Sequence, residues 1–176
     1  PENYHGAHVI KPQNDGSSLG VFIVKDDSNT PPSRSHWTAD THLMCEPFIP
    51  GRELTVAVLD GTALCVTEIT LDRGFYDFDA KYAPGGSHHI VPADIPEKVS
   101  LKACVWAEQA YRHLGCRGII RADYRWDDKA NQLFMLEVNT QPGMTATSLV
   151  PEQARCLGMS GEELVNHLLE IAQCDD

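Results

Sequence analysis

The sequence predicts an α+β chain dominated by antiparallel strands, with helices flanking the sheets. Short apolar runs with a two-residue period recur from His8 to Val138, several joined by turn-forming segments. Only two stretches carry apolar residues at the three- and four-residue steps of a helix. No segment repeats itself at a fixed period, which excludes a solenoid or propeller.

Taken in order, His8–Lys11 reads as a short strand stopped by Pro12, and Leu19–Val24 as a second, with a tight polar turn over 12–18. From Asp26 to Asp40 the chain is polar and rich in proline and serine, as surface loops are. Strands follow at His42–Phe48, Glu53–Leu59 and Leu64–Thr70. Gly74 to Ser87 mixes glycine and proline with aromatics and a lysine, a long structured loop of the kind that forms a lid. A helix is expected from about Pro96 to Leu114: proline suits a first helical position, and Val99, Ala103, Trp106, Ala110 and Leu114 form its stripe. Gly115 ends it as a left-handed cap. Gly118–Trp126 and Phe134–Asn139 then form an antiparallel hairpin across the turn-rich residues 127–131. The last helix starts at Ser160, where Ser160 and Glu163 have capping-box spacing, and its stripe is Leu164, Val165, Leu168, Leu169 and Ala172.

Composition narrows the function. At 176 residues the chain is one sizeable domain or two small lobes sharing a cleft. A net charge of −11 without any basic run argues against a nucleic-acid groove. It leaves room for a nucleotide, which a few placed cations and a metal can hold. No apolar run approaches the roughly 20 residues that span a bilayer, and no signal peptide opens the chain, so no membrane insertion is expected. The six cysteines stand singly with no C-x-x-C pair, several inside apolar runs, which fits free thiols in a reducing cytoplasm. His88 and His89 read as an exposed loop pair on the way into a strand.

The hairpin carries the most informative chemistry. Side chains alternate across a strand, so Glu137 and Asn139 share a face, with Phe134, Leu136 and Val138 directed to a core. On the partner run Arg121, Asp123 and Arg125 share one side. Pairing the two runs gathers Asp123, Glu137 and Asn139 at one end of a sheet. Hard oxygen donors without a soft ligand suit magnesium, which is held by a few carboxylates together with substrate phosphates. The following segment, Thr140–Ser148, is made of turn formers and hydroxyls suited to a polar ligand.

Two further features point to a nucleotide. Lys11 precedes a loop bearing Gly16, Ser17, Ser18 and Gly20, whose small residues let backbone N–H groups approach an anion. It lacks the ending of a Walker A loop and no helix follows, so it would act as a flap between strands. As a bare motif it is first a hairpin turn, and the lysine one strand earlier raises the phosphate reading. Glu46, Pro47, Pro50 and Glu53 outline an extended linker whose main chain can meet an adenine edge while Glu53 reaches ribose hydroxyls. Singly each glutamate reads as a surface residue, and together with the flap and the trio they outline an ATP cleft.

The order of these motifs resembles the ATP-grasp portion of the D-alanine–D-alanine ligase family. The matching segments are V-I-K-P with D-G-S-S-L-G, E-P-F-I-P-G-R-E-L-T-V, F-Y-D-F-D-A-K-Y, G-I-I-R-A-D and L-E-V-N-T-Q-P-G-M-T with S-L-V-P, spread from residue 8 to about 172. The resemblance implies an ATP-grasp fold with a nucleotide cleft between a partial small lobe (1–50) and a large lobe (51–176). It also implies that the family's amino-terminal domain is absent here, leaving a fragment inactive alone. The activity implied is the joining of two D-alanines through an acyl phosphate, for peptidoglycan precursors. ATP and two magnesium ions, with manganese as an alternative, are the implied cofactors, and the full-length protein is implied to be a homodimer.

By residue, the resemblance puts Lys11 and Lys81 on the nucleotide phosphates, Glu46 and the main chain near Ile49 on adenine, and Glu53 on the ribose. It places Phe75 beside the nucleotide, Ser17 in the flap and Tyr82 in the lid over the substrate. Arg121 would stabilise the charge on the acyl phosphate and tetrahedral intermediate. Asp123, Glu137 and Asn139 would ligate the metals, and Gly143, Ser148 and Leu149 would line the second amino-acid site. The nearest alternatives are a D-alanine–D-lactate ligase, another carboxylate–amine ligase of the fold, and a non-catalytic nucleotide-binding fragment. The lid residues Asp79–Tyr82 favour the dipeptide over the depsipeptide, and the ending from Thr140 to Pro151 speaks against the more distant ligases.

Overall fold

The computed structural model describes residues 6–14, 19–25, 32–70 and 88–174. They fall into two compact units, one holding the residues up to Ile49 and the other Pro50–Thr70 together with the residues from His88 onward. Both are rich in antiparallel strands, as the alternation predicts.

In the first unit β1 (His8–Pro12) lies between β2 (Phe22–Val24) and β3 (Leu43–Pro47), antiparallel to both. Pro12 belongs to β1 rather than stopping it: it stands opposite Leu43, the first residue of β3, at the end of the ladder. β2 begins three residues later than expected, because Leu19 and Gly20 form a turn. Gly20 has φ +68, and a Cβ there would press on the Trp37 ring, whose indole N–H donates to the Gly20 carbonyl at 2.9 Å. The described part of the expected loop holds a short 3₁₀ turn at Arg34–His36, capped by Ser33. Its His36 and the following Trp37 both meet Phe22 edge-on.

The second unit is a five-stranded antiparallel sheet in the order β6-β5-β4-β7-β8. Its strands are β4 (Arg52–Leu59), β5 (Thr62–Thr70), β6 (His88–Ile90), β7 (Ile119–Asp127) and β8 (Gln132–Asn139). Central β4 is buried on both faces from Leu54 to Leu59. On one face Leu54, Val56, Val58, Ile120, Ala122, Tyr124 and Leu133 pack against α1 (Glu97–His113), with the Tyr124 hydroxyl donating to the Ala103 carbonyl at 2.9 Å. On the other, Ala57 and Leu59 pack against α2 (Leu149–Cys156) and α3 (Gly161–Glu170).

Several expectations need correction. The buried stripe of α1 is Val99, Ala103, Ala107 and Tyr111, a strict four-residue step, while Leu114 is 64% exposed. Pro96 caps the helix instead of opening it. In α3 the capping box forms, but only Leu164 is buried; Leu168 packs partly, and Val165 and Leu169 face solvent. His88 and His89 lie in β6 itself, and His89 is a partly buried partner of Glu152, 2.7 Å away. The helix α2 was not foreseen at all.

α2 is tied to the sheet by Gln153, which is fully buried. Where the β4–β5 register shifts, its Oε1 accepts from the Ala57 N–H at 2.8 Å and its Nε2 donates to the Thr55 carbonyl at 3.3 Å. A side-chain amide thus replaces a missing ladder partner. Gln153→Ala strands two buried main-chain groups and should cost about 1–3 kcal/mol, read as a lower urea midpoint at unchanged slope.

Candidate active site

The face of the second sheet that bears α2 turns polar beyond Ala57. Register places Glu53 opposite Arg125, Thr55 opposite Asp123, and Ala57 opposite Arg121. On the far side of β7, Asp123 stands opposite Glu137 and Arg121 opposite Asn139. The trio expected from alternation is therefore adjacent in the sheet, on the exposed side of the hairpin.

A bulge makes this arrangement work. Asp123 pairs with Glu137 but Tyr124 pairs with Met135, so Leu136 is the extra residue. A strict two-residue period would put Leu133, Met135, Glu137 and Asn139 on one face. The bulge reverses the phase, so Leu133, Met135 and Val138 reach the α1 core while Glu137 and Asn139 stay on the other side. The expected core trio of Phe134, Leu136 and Val138 is corrected accordingly: Phe134 stands opposite Arg125, and Leu136 is 40% exposed.

Asp123 is the most constrained member. The buried Thr55 hydroxyl donates to its Oδ1 at 2.7 Å, and the Arg121 guanidinium grips both oxygens at 2.8 and 2.7 Å. This two-pronged bond fixes the carboxylate plane and orients Arg121 in turn. Glu137 is exposed, and the Asn139 Oδ1 accepts from the Gln141 N–H at 3.0 Å. Among the described residues no group of three or more His, Cys, Asp or Glu could hold a metal, so the trio reaches three donors only through the Asn139 amide. Two carboxylates and an amide oxygen fit magnesium: Asp123 Oδ1 already accepts twice, but its Oδ2 accepts once and keeps a lone pair for the metal.

Beside the trio, Glu53 and Arg125 approach to 3.5 Å, and the Arg125 guanidinium also donates to the Gly51 carbonyl at 2.7 Å. Gly51, at φ +94, is where the chain enters β4, and a Cβ there would collide with the Trp126 carbonyl. Arg52 points to the α1 face, where it forks onto Glu68 at 2.6 and 2.5 Å and lies over the Trp126 ring. In the loop after β8, the Ser148 Oγ accepts from the Thr145 N–H at 3.0 Å, and a Cβ on Gly143 would come within 2.9 Å of that oxygen. Leu149, the first residue of α2, is buried. In the first unit Lys11 and Glu46 form an ion pair at 2.6 Å across β1 and β3, and Ile49 is partly buried.

Ser17, Phe75, Lys81 and Tyr82 lie outside the described residues. Thr55, Gln153 and the His89–Glu152 pair were missed by sequence reasoning. Thr55 carried a signal, as the one hydroxyl in the apolar run of β4.

The comparisons with known proteins agree on one family. The model of the D-ala D-ala ligase C-terminus matches residues 5–170. The D-alanine–D-alanine ligase of Paramagnetospirillum magneticum is 56% identical over 172 residues, covering 95% of this chain and 56% of that protein. That of Rhodospirillum rubrum is 55% identical over 169 residues, covering 96% and 55%. The chain thus spans little more than half the length of these relatives. Among solved structures, a D-alanine–D-alanine ligase from Bacillus anthracis in complex with ATP is 26% identical with a TM-score of 0.74, over 95% of this chain and 53% of that one. The VanG D-Ala:D-Ser ligase of Enterococcus faecalis is 29% identical with a TM-score of 0.79, over 97% and 50%.

Proposed function

We propose, from the premise that this chain belongs to the D-alanine–D-alanine ligase C-terminal family, that it supplies the catalytic face of an ATP-dependent ligase joining two D-alanines. The observation that carries this reading is the register that sets Asp123 against Glu137 and Arg121 against Asn139. The reaction moves the γ-phosphoryl group of ATP to one D-alanine carboxylate, and the amine of a second D-alanine then displaces phosphate from the acyl phosphate. Negative charge gathers on oxygens in both steps, so fixed cations must already be in place.

Arg121, held in plane by Asp123, is such a cation. It would donate to the acyl phosphate and to the oxyanion of the tetrahedral intermediate. Asp123, Glu137 and Asn139 would hold magnesium, which when bound neutralises phosphate oxygens of the nucleotide. Glu53 would bind the ribose hydroxyls, and Arg125 opposite it keeps that carboxylate in position. Lys11 would meet the phosphates; an ammonium has three donors, so its pair with Glu46 leaves capacity for them. Glu46 and the main chain near Ile49 would hold adenine, while Gly143, Ser148 and the Leu149 main chain would receive the second D-alanine. Ser17, Phe75, Lys81 and Tyr82 complete the proposed set as flap and lid, excluding water from the acyl phosphate. The product would feed peptidoglycan synthesis in the cytoplasm, and the complete protein would be a homodimer. Among the described residues no helix is long and apolar enough to cross a membrane.

The D-Ala:D-Ser ligase among the structural neighbours gives the second reading a concrete form, in which the second substrate is another D-amino or D-hydroxy acid. Offering the complete protein ATP, magnesium and D-alanine, alone or with equimolar D-serine or D-lactate, separates them by product mass. D-alanyl-D-alanine should dominate throughout at neutral pH. A mixed dipeptide or depsipeptide as main product overturns the assignment of the second site.

A further inference from the structure

β5 and α2 bring together two thiols that the ligase reading does not use. Cys65 lies where the β4–β5 register shifts, with its Sγ 4.0 Å from the Gln153 carbonyl of α2. Cys156 stands three residues further along that helix. Helical Cα–Cβ bonds lean toward the N-terminus, so a side chain covers the turn that begins three residues before it. Cys156 therefore overhangs the point where Cys65 touches α2, at the Gln153 carbonyl. Cys156 is exposed and Cys65 partly buried, so one sulfur of the pair meets solvent and the other backs it. Another thiol, Cys104, packs with the α1 core on the other face of the sheet.

We propose that Cys65 and Cys156 are a dithiol modification site that a hydroperoxide closes to a disulfide between β5 and the last turn of α2. The exposed Cys156 sulfur attacks the peroxide: an S–O bond forms, the O–O bond breaks, and with hydrogen peroxide water leaves. The Cys65 sulfur then attacks the resulting sulfenic acid. An S–S bond forms, the S–O bond breaks, and hydroxide departs with the Cys65 proton as a second water. The two thiols lose two electrons and two protons, and one peroxide is reduced.

Burial first, and Cys156 beside it, push the Cys65 thiol up to about 12, so at neutral pH it keeps its proton and serves as the resolving partner. The pair should accordingly close slowly, under sustained peroxide. Because α2 begins beside Ser148 and carries Gln153, the bond would fasten that helix to β5. This chemistry stands whether or not the ligase reading does.

The reduced protein is treated with hydrogen peroxide, its remaining thiols are alkylated, and the digest is mapped by mass spectrometry. Two thiols per chain should disappear, a linked peptide pair should join Cys65 to Cys156, and dithiothreitol should restore both. Cys156→Ser, a change at an exposed position, should abolish the pair while the other cysteines alkylate as before. A Cys65–Cys104 link, Cys156 oxidised to sulfinic acid with Cys65 still alkylatable, or no loss of thiols at all would each overturn the proposal.

Discussion

Arg121→Ala should lower kcat of the complete protein by about 10²–10³-fold, equivalent to roughly 2.7–4 kcal/mol of lost charge stabilisation. The expectation rests on where the guanidinium sits: on β7, opposite Asn139, with its fork closed on Asp123. KM for ATP should move less than kcat if the interaction is made chiefly in the transition state. Arg121→Lys keeps the charge but loses the planar fork, so it should recover only part of the rate. Steady-state kinetics on both variants checks this. An alanine variant with near-normal kcat would remove Arg121 from the chemistry and leave it a structural partner of Asp123.

Glu137→Gln should have the second large effect, on nucleotide binding that depends on magnesium. Glu137 is exposed and directly opposite Asp123. Replacing its carboxylate by an amide removes a full negative charge from the donor set without changing its shape, and carboxylate ligands dominate magnesium sites. Calorimetry of ATP binding with and without magnesium should show the metal-dependent gain falling by about tenfold or more, worth about 1.4 kcal/mol. Glu170→Gln, at the exposed end of α3, is the matched control and should leave that gain intact. Equal losses in the two variants would count against the metal assignment.

What the sequence disclosed and what it hid follow from local physics. The hairpin was legible because alternation over eight or nine residues, bounded by a turn, specifies strand pairing and hence which polar residues become neighbours. The bulge at Leu136 was not, because one extra residue leaves no mark in composition, and it moved Phe134 and Leu136 out of the expected core. α2 escaped notice because eight residues with a proline among them make a weak periodic signal. Its stability comes from packing and from Gln153 reaching into a strand irregularity, which is a tertiary fact. β6 is three residues at a sheet edge, too short for any pattern. In α1 the stripe is right at Val99 and Ala103 and one step off beyond them, where Ala107 and Tyr111 are buried, since three- and four-residue spacings both fit the sequence and only the sheet decides between them. Thr55 as the anchor of Asp123 was hidden for a related reason: strand order 5-4-7-8 brings residues 55 and 123 together, and no local pattern encodes it.

The most direct test is crystallographic. Crystals of the protein grown with manganese and a non-hydrolysable ATP analogue should give an anomalous difference peak about 2.1 Å from oxygens of Asp123, Glu137 and Asn139, next to the analogue's phosphates. A nucleotide bound with its manganese held elsewhere, and these three side chains turned to solvent, would contradict the account.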